Sequence, residues 1–386
     1  MPGVSFGDNG GMTSASHSSA AAEPFEGLRI RGVAKTFGAD TTVLNEIDLD
    51  VHPGELISLV GSSGTGKSTL LRIIAGLEEP SAGRVTYAGQ PLERGSVGVV
   101  FQRPILYPHL SVKDNILFPT RLGAFAGRVD MDYYRELLEA LKLEGLESRK
   151  PSQLSGGQAQ RVGIARALIR RAPVVLFDEP LASVDEEMSA SIRADIVRLH
   201  ERYGFTGLYV THDQNEALML GQRVAVMDAG YLVQVDTPER LLAHPHTLQV
   251  AKLLAAPALN LVALEDSAVL PAGCELAIRA TALYLVVADA AHSLPVQVLG
   301  SRHLVGGMLY RARLLEAVSL PLESRRASAD SELSARMYAR VRAGQELEFF
   351  IPDAQGGASL SVGDRVHLGV AAERCFLFSE GKRFYL

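Results

Sequence analysis

Nine consecutive residues, Gly61-Ser62-Ser63-Gly64-Thr65-Gly66-Lys67-Ser68-Thr69, concentrate more chemistry than any other stretch of the chain. Glycines at this spacing let successive backbone N–H groups turn toward one point, and a helix starting near Lys67 adds the positive end of its dipole. Such a loop cradles phosphates. Lys67 is expected to bridge the β- and γ-phosphates of a nucleoside triphosphate, and the Ser68 hydroxyl to reach Mg²⁺. A carboxylate has to complete the metal site, and Val174-Val175-Leu176-Phe177-Asp178-Glu179 supplies one at the tip of an apolar run. Asp178 can hold the ion through water, while Glu179 points to where an attacking water would lie. A third pattern, Leu154-Ser155-Gly156-Gly157-Gln158, places a capping serine and two glycines at a helix start. That is a second anion-binding terminus. One chain already has its cradle, so the second implies a second nucleotide or a second copy of the chain.

The elements that must hold these residues are legible as alternating strand and helix patterns from Leu28 to about His246, the mark of an α/β domain with a largely parallel sheet. Leu56–Val60, Val97–Phe101, Val174–Phe177, Gly207–Thr211 and Val224–Met227 are apolar almost throughout, as strands covered on both faces are. Lys67–Leu77, Met131–Leu143, Gln158–Arg171 and Glu186–Tyr203 repeat apolar residues at helical spacing. After Pro257 the texture changes to short alternating runs: Glu275–Ile278, Leu294–Leu299, Met308–Leu315, Leu347–Ile351 and Arg365–Val370. These predict a small all-β domain, interrupted by an Arg- and Ser-rich insertion at 323–336.

Composition narrows the function classes. At 386 residues the chain has length for two or three domains, given about 150 residues each. Its 47% apolar content supports a large core, and 38 basic against 44 acidic side chains argue against a broad nucleic-acid surface. Two cysteines, Cys274 and Cys375, cannot build a disulfide framework and read as core thiols. No apolar run approaches the roughly 18 residues a membrane-spanning helix needs. Residues 1–24, rich in Gly, Ser and Ala without Lys or Arg, read as a loose tail rather than a targeting segment.

With Leu154–Gln158 lying between the phosphate loop and the strand that ends at Asp178, the three motifs resemble those of the ATP-binding subunits of ABC transporters, over roughly residues 28 to 246. The resemblance implies further roles. Phe37 would stack on adenine, and Gln102, in Val99-Val100-Phe101-Gln102-Arg103-Pro104, would sense the metal at a strand end. Asp185, in Leu181-Ala182-Ser183-Val184-Asp185, matches the loop usually written S-A-L-D, and His212, in Val210-Thr211-His212-Asp213, the histidine that contacts the γ-phosphate. Glu179, His212, Lys67 and Gln102 would carry catalysis. The nucleotide would be bound by Phe37, by Gly61 through Thr69, by Ser155, Gly156, Gly157 and Gln158, and by Asp185. Ser68, Gln102 and Asp178 would serve Mg²⁺.

Two ATP molecules would then lie between two head-to-tail chains, identical copies or this chain and a close relative, each nucleotide touching Lys67 of one chain and Ser155 and Gly157 of the other. The segment Tyr107-Pro108-His109-Leu110-Ser111-Val112-Lys113-Asp114-Asn115 resembles the importer stretch beside the groove that accepts a permease helix. Tyr231–Glu239 resembles the run leading into a TOBE-type β domain, and Ala277-Ile278-Arg279 resembles the I-R-P-E corner, with Ala280 and Thr281 where Pro and Glu are usual. The resulting expectation is a tail at 1–24, an ABC ATPase domain with a helical subdomain at 25–246 and a TOBE-like (OB-type) domain at 247–386. The implied function is ATP hydrolysis powering import of a solute of the sugar, polyamine, iron or oxyanion type through separate permease subunits, with a solute-binding protein as indirect partner, peripheral to the cytoplasmic membrane face. An ABC-type ATPase without a permease, acting on ribosomes or nucleic acid, is the other class. It fits less well: the phosphate loop occurs once, and residues 67–153 show no sustained heptads for the long coil of DNA-repair relatives.

Overall fold

The computed structural model describes residues 25–38, 40–121, 129–265, 270, 273–287, 292–322, 337–353, 359–371 and 374–384. The tail at 1–24 and the stretch at 323–336 lie outside them. In chain order, β1 (Leu28–Phe37) and β2 (Thr41–Val51) pair antiparallel, and β3 (Leu56–Val60) feeds the glycine-rich loop and α1 (Lys67–Ile74). Next, β4 (Ala82–Tyr87) and β5 (Gln90–Pro91) extend the first sheet on the far side of β1. Then come β6 (Gly98–Val100), α2 (Val112–Leu117), α3 (Met131–Ala140), α4 (Gly156–Leu168), β7 (Val174–Asp178) and α5 (Glu186–Tyr203). The α/β part closes with β8 (Thr206–Thr211), α6 (Gln214–Leu220), β9 (Arg223–Asp228), β10 (Tyr231–Asp236), α7 (Pro238–Ala243) and α8 (Leu248–Leu253).

The second sheet runs β10-β9-β3-β8-β7-β6 and is parallel except for β10. All five residues of β3 are buried, because both faces are covered. Side chains alternate across it: Val175 and Phe177 pack with α3, α4 and α5, whereas Val174 and Leu176 pack with α1 and the β1–β2 sheet. Parallel strands put their C-terminal ends on one edge, and the Gly61 loop, Asp178 and His212 all leave the sheet there.

The rest of the chain is antiparallel. Among the described residues β11 (Leu259–Ala263), β12 (Glu275–Arg279), β13 (Leu283–Val286), β14 (Leu294–Leu304), β15 (Gly307–Leu314), β16 (Val318–Leu322), β17 (Met337–Val341), β18 (Glu346–Pro352), β19 (Arg365–Val370), β20 (Cys375–Ser379) and β21 (Lys382–Phe384) make three sheets. Their orders are β11-β12-β20-β21, β13-β19-β14-β15-β18 and β16-β17. A shared apolar core unites them, including Leu276, Val296, Leu320, Val341, Phe349 and Leu368. Cys274 is buried, and the half-buried Cys375 thiol donates to the Ala371 carbonyl at 3.6 Å.

Helix α8 belongs to two cores at once. Val250 and Leu254 pack with Val60, Val224 and Leu241, while Leu248 and Ala251 pack with Ala277, Phe376 and Phe378. Within Tyr231–Glu239, the run that resembles the lead into the β domain, Pro238 opens α7 and Tyr231–Asp236 is the antiparallel edge strand of the ATPase sheet. Its Val235 and Leu232 reach the apolar core under that sheet, which explains the placement.

Candidate nucleotide-binding site

Gly61 follows β3 at a point where a Cβ would stand 2.4 Å from the Met227 carbonyl oxygen, so only glycine lets the loop pass β9. Gly66 caps α1 with φ at 97°, and a Cβ there would come 2.8 Å from the Val43 carbonyl. Both constraints are backbone against backbone and cannot relax by a rotamer change. Between them the Thr65 hydroxyl donates to the Ser62 carbonyl at 3.0 Å and tightens the turn. Lys67 is 5% exposed, and its ammonium donates to the carbonyls of Gly61 at 2.8 Å and Ser62 at 2.9 Å. Burial lowers its pKa, opposed by the charges of Glu179 and Asp178. A cavity of about 260 Å³ opens over this loop, lined by residues 63–69, Val43 and Glu179. Val43 was not legible as a site residue, since an apolar residue in β2 looks like core.

At the end of β7 the Ser68 hydroxyl donates to Asp178 Oδ1 at 3.3 Å. Burial raises the Asp178 pKa, with the Ser68 bond pulling it down and the Glu179 charge adding to the rise. A hydroxyl and a carboxylate oxygen, side by side and half-buried, fit Mg²⁺, which takes hard oxygen donors and keeps several waters. Glu179 takes the left-handed region, φ 44°, and its N–H donates to the Val210 carbonyl at 2.9 Å. That conformation is costly for a side chain bearing a Cβ, and it turns the carboxylate out of the sheet edge. There, Glu179 Oε2 lies 3.0 Å from His212 Nδ1, the residue that follows β8.

The remaining expected residues are not among those lining that cavity. Ser155 caps α4 in a reciprocal box: its Oγ accepts the Gln158 N–H at 3.2 Å and Gln158 Oε1 accepts the Ser155 N–H at 3.0 Å. Gly156 faces open space, whereas a Cβ on Gly157 would strike Met188 of α5 at 2.6 Å. Asp185 caps α5, accepting the Met188 N–H at 3.0 Å. Phe37 ends β1 at 41% exposure, with the Lys35 ammonium 4.9 Å from its ring centre. Gln102 follows β6 and is exposed. None of these lines the cavity over the phosphate loop. One chain therefore assembles residues 61–69, Asp178, Glu179 and His212, and leaves the Ser155 motif outside.

Residues 44–182 match a family model described as ABC transporter. The sn-glycerol-3-phosphate import ATP-binding protein UgpC 1 of Rhizobium johnstonii is 45% identical over 241 residues, covering 61% of this chain and 65% of that protein. The protein of the same name, UgpC, from Yersinia pestis is 42% identical over 252 residues, covering 64% and 70%. Among solved structures, cbiO1 from Clostridium perfringens, part of the ABC transporter complex cbiONQ, superposes with a TM-score of 0.51 at 27% identity, over 57% of this chain and 92% of that one. The Rhizobium alignment spans a little under two thirds of that relative, and the Yersinia alignment somewhat more. Identity at this level, sustained over 70% of the Yersinia protein, makes the chain a member of the ABC transporter ATP-binding family.

Proposed function

We propose that the chain is the ATP-hydrolysing subunit of a solute importer and that two copies share each nucleotide. The observation that carries the reading is the split site: the phosphate cradle and Glu179 meet in one cavity that no residue of the Ser155 motif lines. A second copy, turned head to tail, would bring its Ser155 and the backbone N–H groups of its Gly156 and Gly157 against the γ-phosphate. The Ser155 oxygen accepts the helix cap bond, so its hydroxyl hydrogen is left to donate. Lys67 would release its two carbonyls for phosphate oxygens, a stronger, charge-assisted bond. Mg²⁺ held by Ser68 and Asp178 would supply positive charge at the β- and γ-oxygens. Glu179 would take the proton of the attacking water while His212 Nδ1 steadies its carboxylate, within the hydrogen-bond reach a general base needs.

The load is a membrane permease. A groove of about 320 Å³ lies between β6 and α4, lined by Phe101, Ile105, Tyr107, Phe118 and Arg166. Buried Asn115 staples its rim, accepting the Tyr107 N–H at 2.7 Å and donating to the carbonyls of Tyr107, Leu110 and Ser111 at 3.1, 3.2 and 3.0 Å. An apolar, partly open trough with a fixed rim suits a short permease helix. Among the described residues no helix is long and apolar enough to cross a membrane, so the chain would sit against the cytoplasmic face through this contact. Both UgpC relatives are named for sn-glycerol-3-phosphate import, and that sugar-phosphate class is the proposed solute.

Glu179→Gln tests the reading. ATP should still bind, turnover should fall at least about a hundredfold, and the chain should elute as an ATP-dependent dimer. Hydrolysis at the parent rate, or a strict monomer with ATP bound, would refute it. For the solute, cells lacking the chain should lose uptake of labelled sn-glycerol 3-phosphate.

A further inference from the structure

We infer that Glu216 is a positioning residue for the reaction: its buried carboxylate fixes the turn that carries His212, and through that turn the contact between His212 and Glu179. The inference deepens the ATPase reading and rests on it. Glu216 lies on α6 and is 7% exposed. Its Oε2 accepts two hydroxyls, from Tyr209 at 3.1 Å and from Thr211 at 2.8 Å, both buried at the end of β8. With its hydrogen committed to Glu216, the Thr211 oxygen presents a lone pair to the Asp213 N–H at 3.0 Å. Asp213 then caps α6, its carboxylate accepting the N–H groups of Asn215 at 2.7 Å and Glu216 at 3.2 Å.

The residues on both sides of His212 are thus held by bonds that run through one carboxylate oxygen, whereas the His212 side chain is 59% exposed. A hydroxyl rotor left free could not keep a lone pair on Asp213, and the turn would lose its register with Glu179. Arg193, on α5, places NH2 3.7 Å from Glu216 Oε1 and balances the charge. An apolar side chain would fill this space without desolvating a carboxylate, so packing alone does not account for a glutamate here.

The requirement is an acceptor, not a charge, and that separates the variants in the full-length protein. Thr211→Val puts a methyl of nearly the same shape in place of the hydroxyl, so it removes both bonds at that atom. Turnover should fall about 10- to 100-fold, the scale of a small misplacement in an active site, while nucleotide affinity stays within about twofold. Thr211→Ser should restore it. Glu216→Gln, still an acceptor, should keep most activity, and Glu216→Ala should lose it. If Glu216→Ala does not fold, the Thr211 pair carries the test.

In a His212→Ala background neither Thr211→Val nor Glu216→Ala should lower the residual turnover further, because they act through the missing ring. Equal fold-losses in both backgrounds, or full turnover in Thr211→Val, would overturn the inference. Full turnover in His212→Ala alone would overturn the role of His212 itself, a separate outcome.

Discussion

A single methyl group at Gly66 carries the sharpest residue-scale consequence. At φ 97°, with the Val43 carbonyl 2.8 Å from where a Cβ would sit, Gly66→Ala should destabilise the chain by about 2–4 kcal/mol and abolish nucleotide binding. Urea unfolding with and without ATP checks both: the variant should have a lower midpoint and no shift on adding ATP. The loop was legible because its chemistry depends on residue order alone. So were Asp178 and Glu179, once an apolar run was seen to end there. Glu216 and Val43 were not, since their roles come from neighbours on β8 and at Gly66 that no local pattern reveals.

Among elements, the mostly apolar, buried strands β3, β7 and β8 announce themselves, while β1 and β2 do not. Their pairing slips three times, between Ile30 and Val33, Val33 and Lys35, and Lys35 and Thr36, and each slip breaks the alternation that marks a half-buried strand. Helix α3 was expected to run to Leu143 but ends at Ala140, where Lys142 adopts a left-handed φ of 55°. The starts of β3 and β9 are tied by an ion pair sequence cannot show: Arg223 donates Nε to Glu55 Oε1 at 2.7 Å and NH2 to Oε2 at 2.8 Å. Burial would raise the Glu55 pKa, yet the bonds from Arg223 and the His52 N–H hold it below the ordinary carboxylate value. The unfolded chain therefore takes up the proton first on acidification, so this stability is present above about pH 4.5 and is lost as pH falls below it. Arg223→Ala should cost about 2–3 kcal/mol at neutral pH and flatten that acid limb, as followed by circular dichroism against pH.

Across the whole molecule, the two halves meet through α8 and through Arg279. That guanidinium is nearly buried, donates to the carbonyls of Leu254 and Leu242, and lies 5.5 Å from the Phe376 ring centre. Burial, then the charge of Arg374, pushes its pKa down to about 10. Arg279→Ala strands both carbonyls and should cost about 1–3 kcal/mol, seen as earlier melting of the C-terminal sheets in calorimetry while the ATPase half still binds ATP. The all-β character of that half was legible from its short alternating runs. Its strand partnering was not, because β12 finds β20 across about a hundred residues, a distance over which periodicity carries no information.

The position of Ser155, outside the cavity that holds Lys67, has a genetic corollary. In the proposed head-to-tail pair, lesions at the two residues would fall in different compartments, so a Lys67→Ala chain and a Ser155→Arg chain, each inert by itself, should regain turnover when mixed and allowed to exchange partners. The hybrid contains one wholly wild-type pocket and one doubly broken pocket. Two Lys67 alleles mixed together would never produce that rescue.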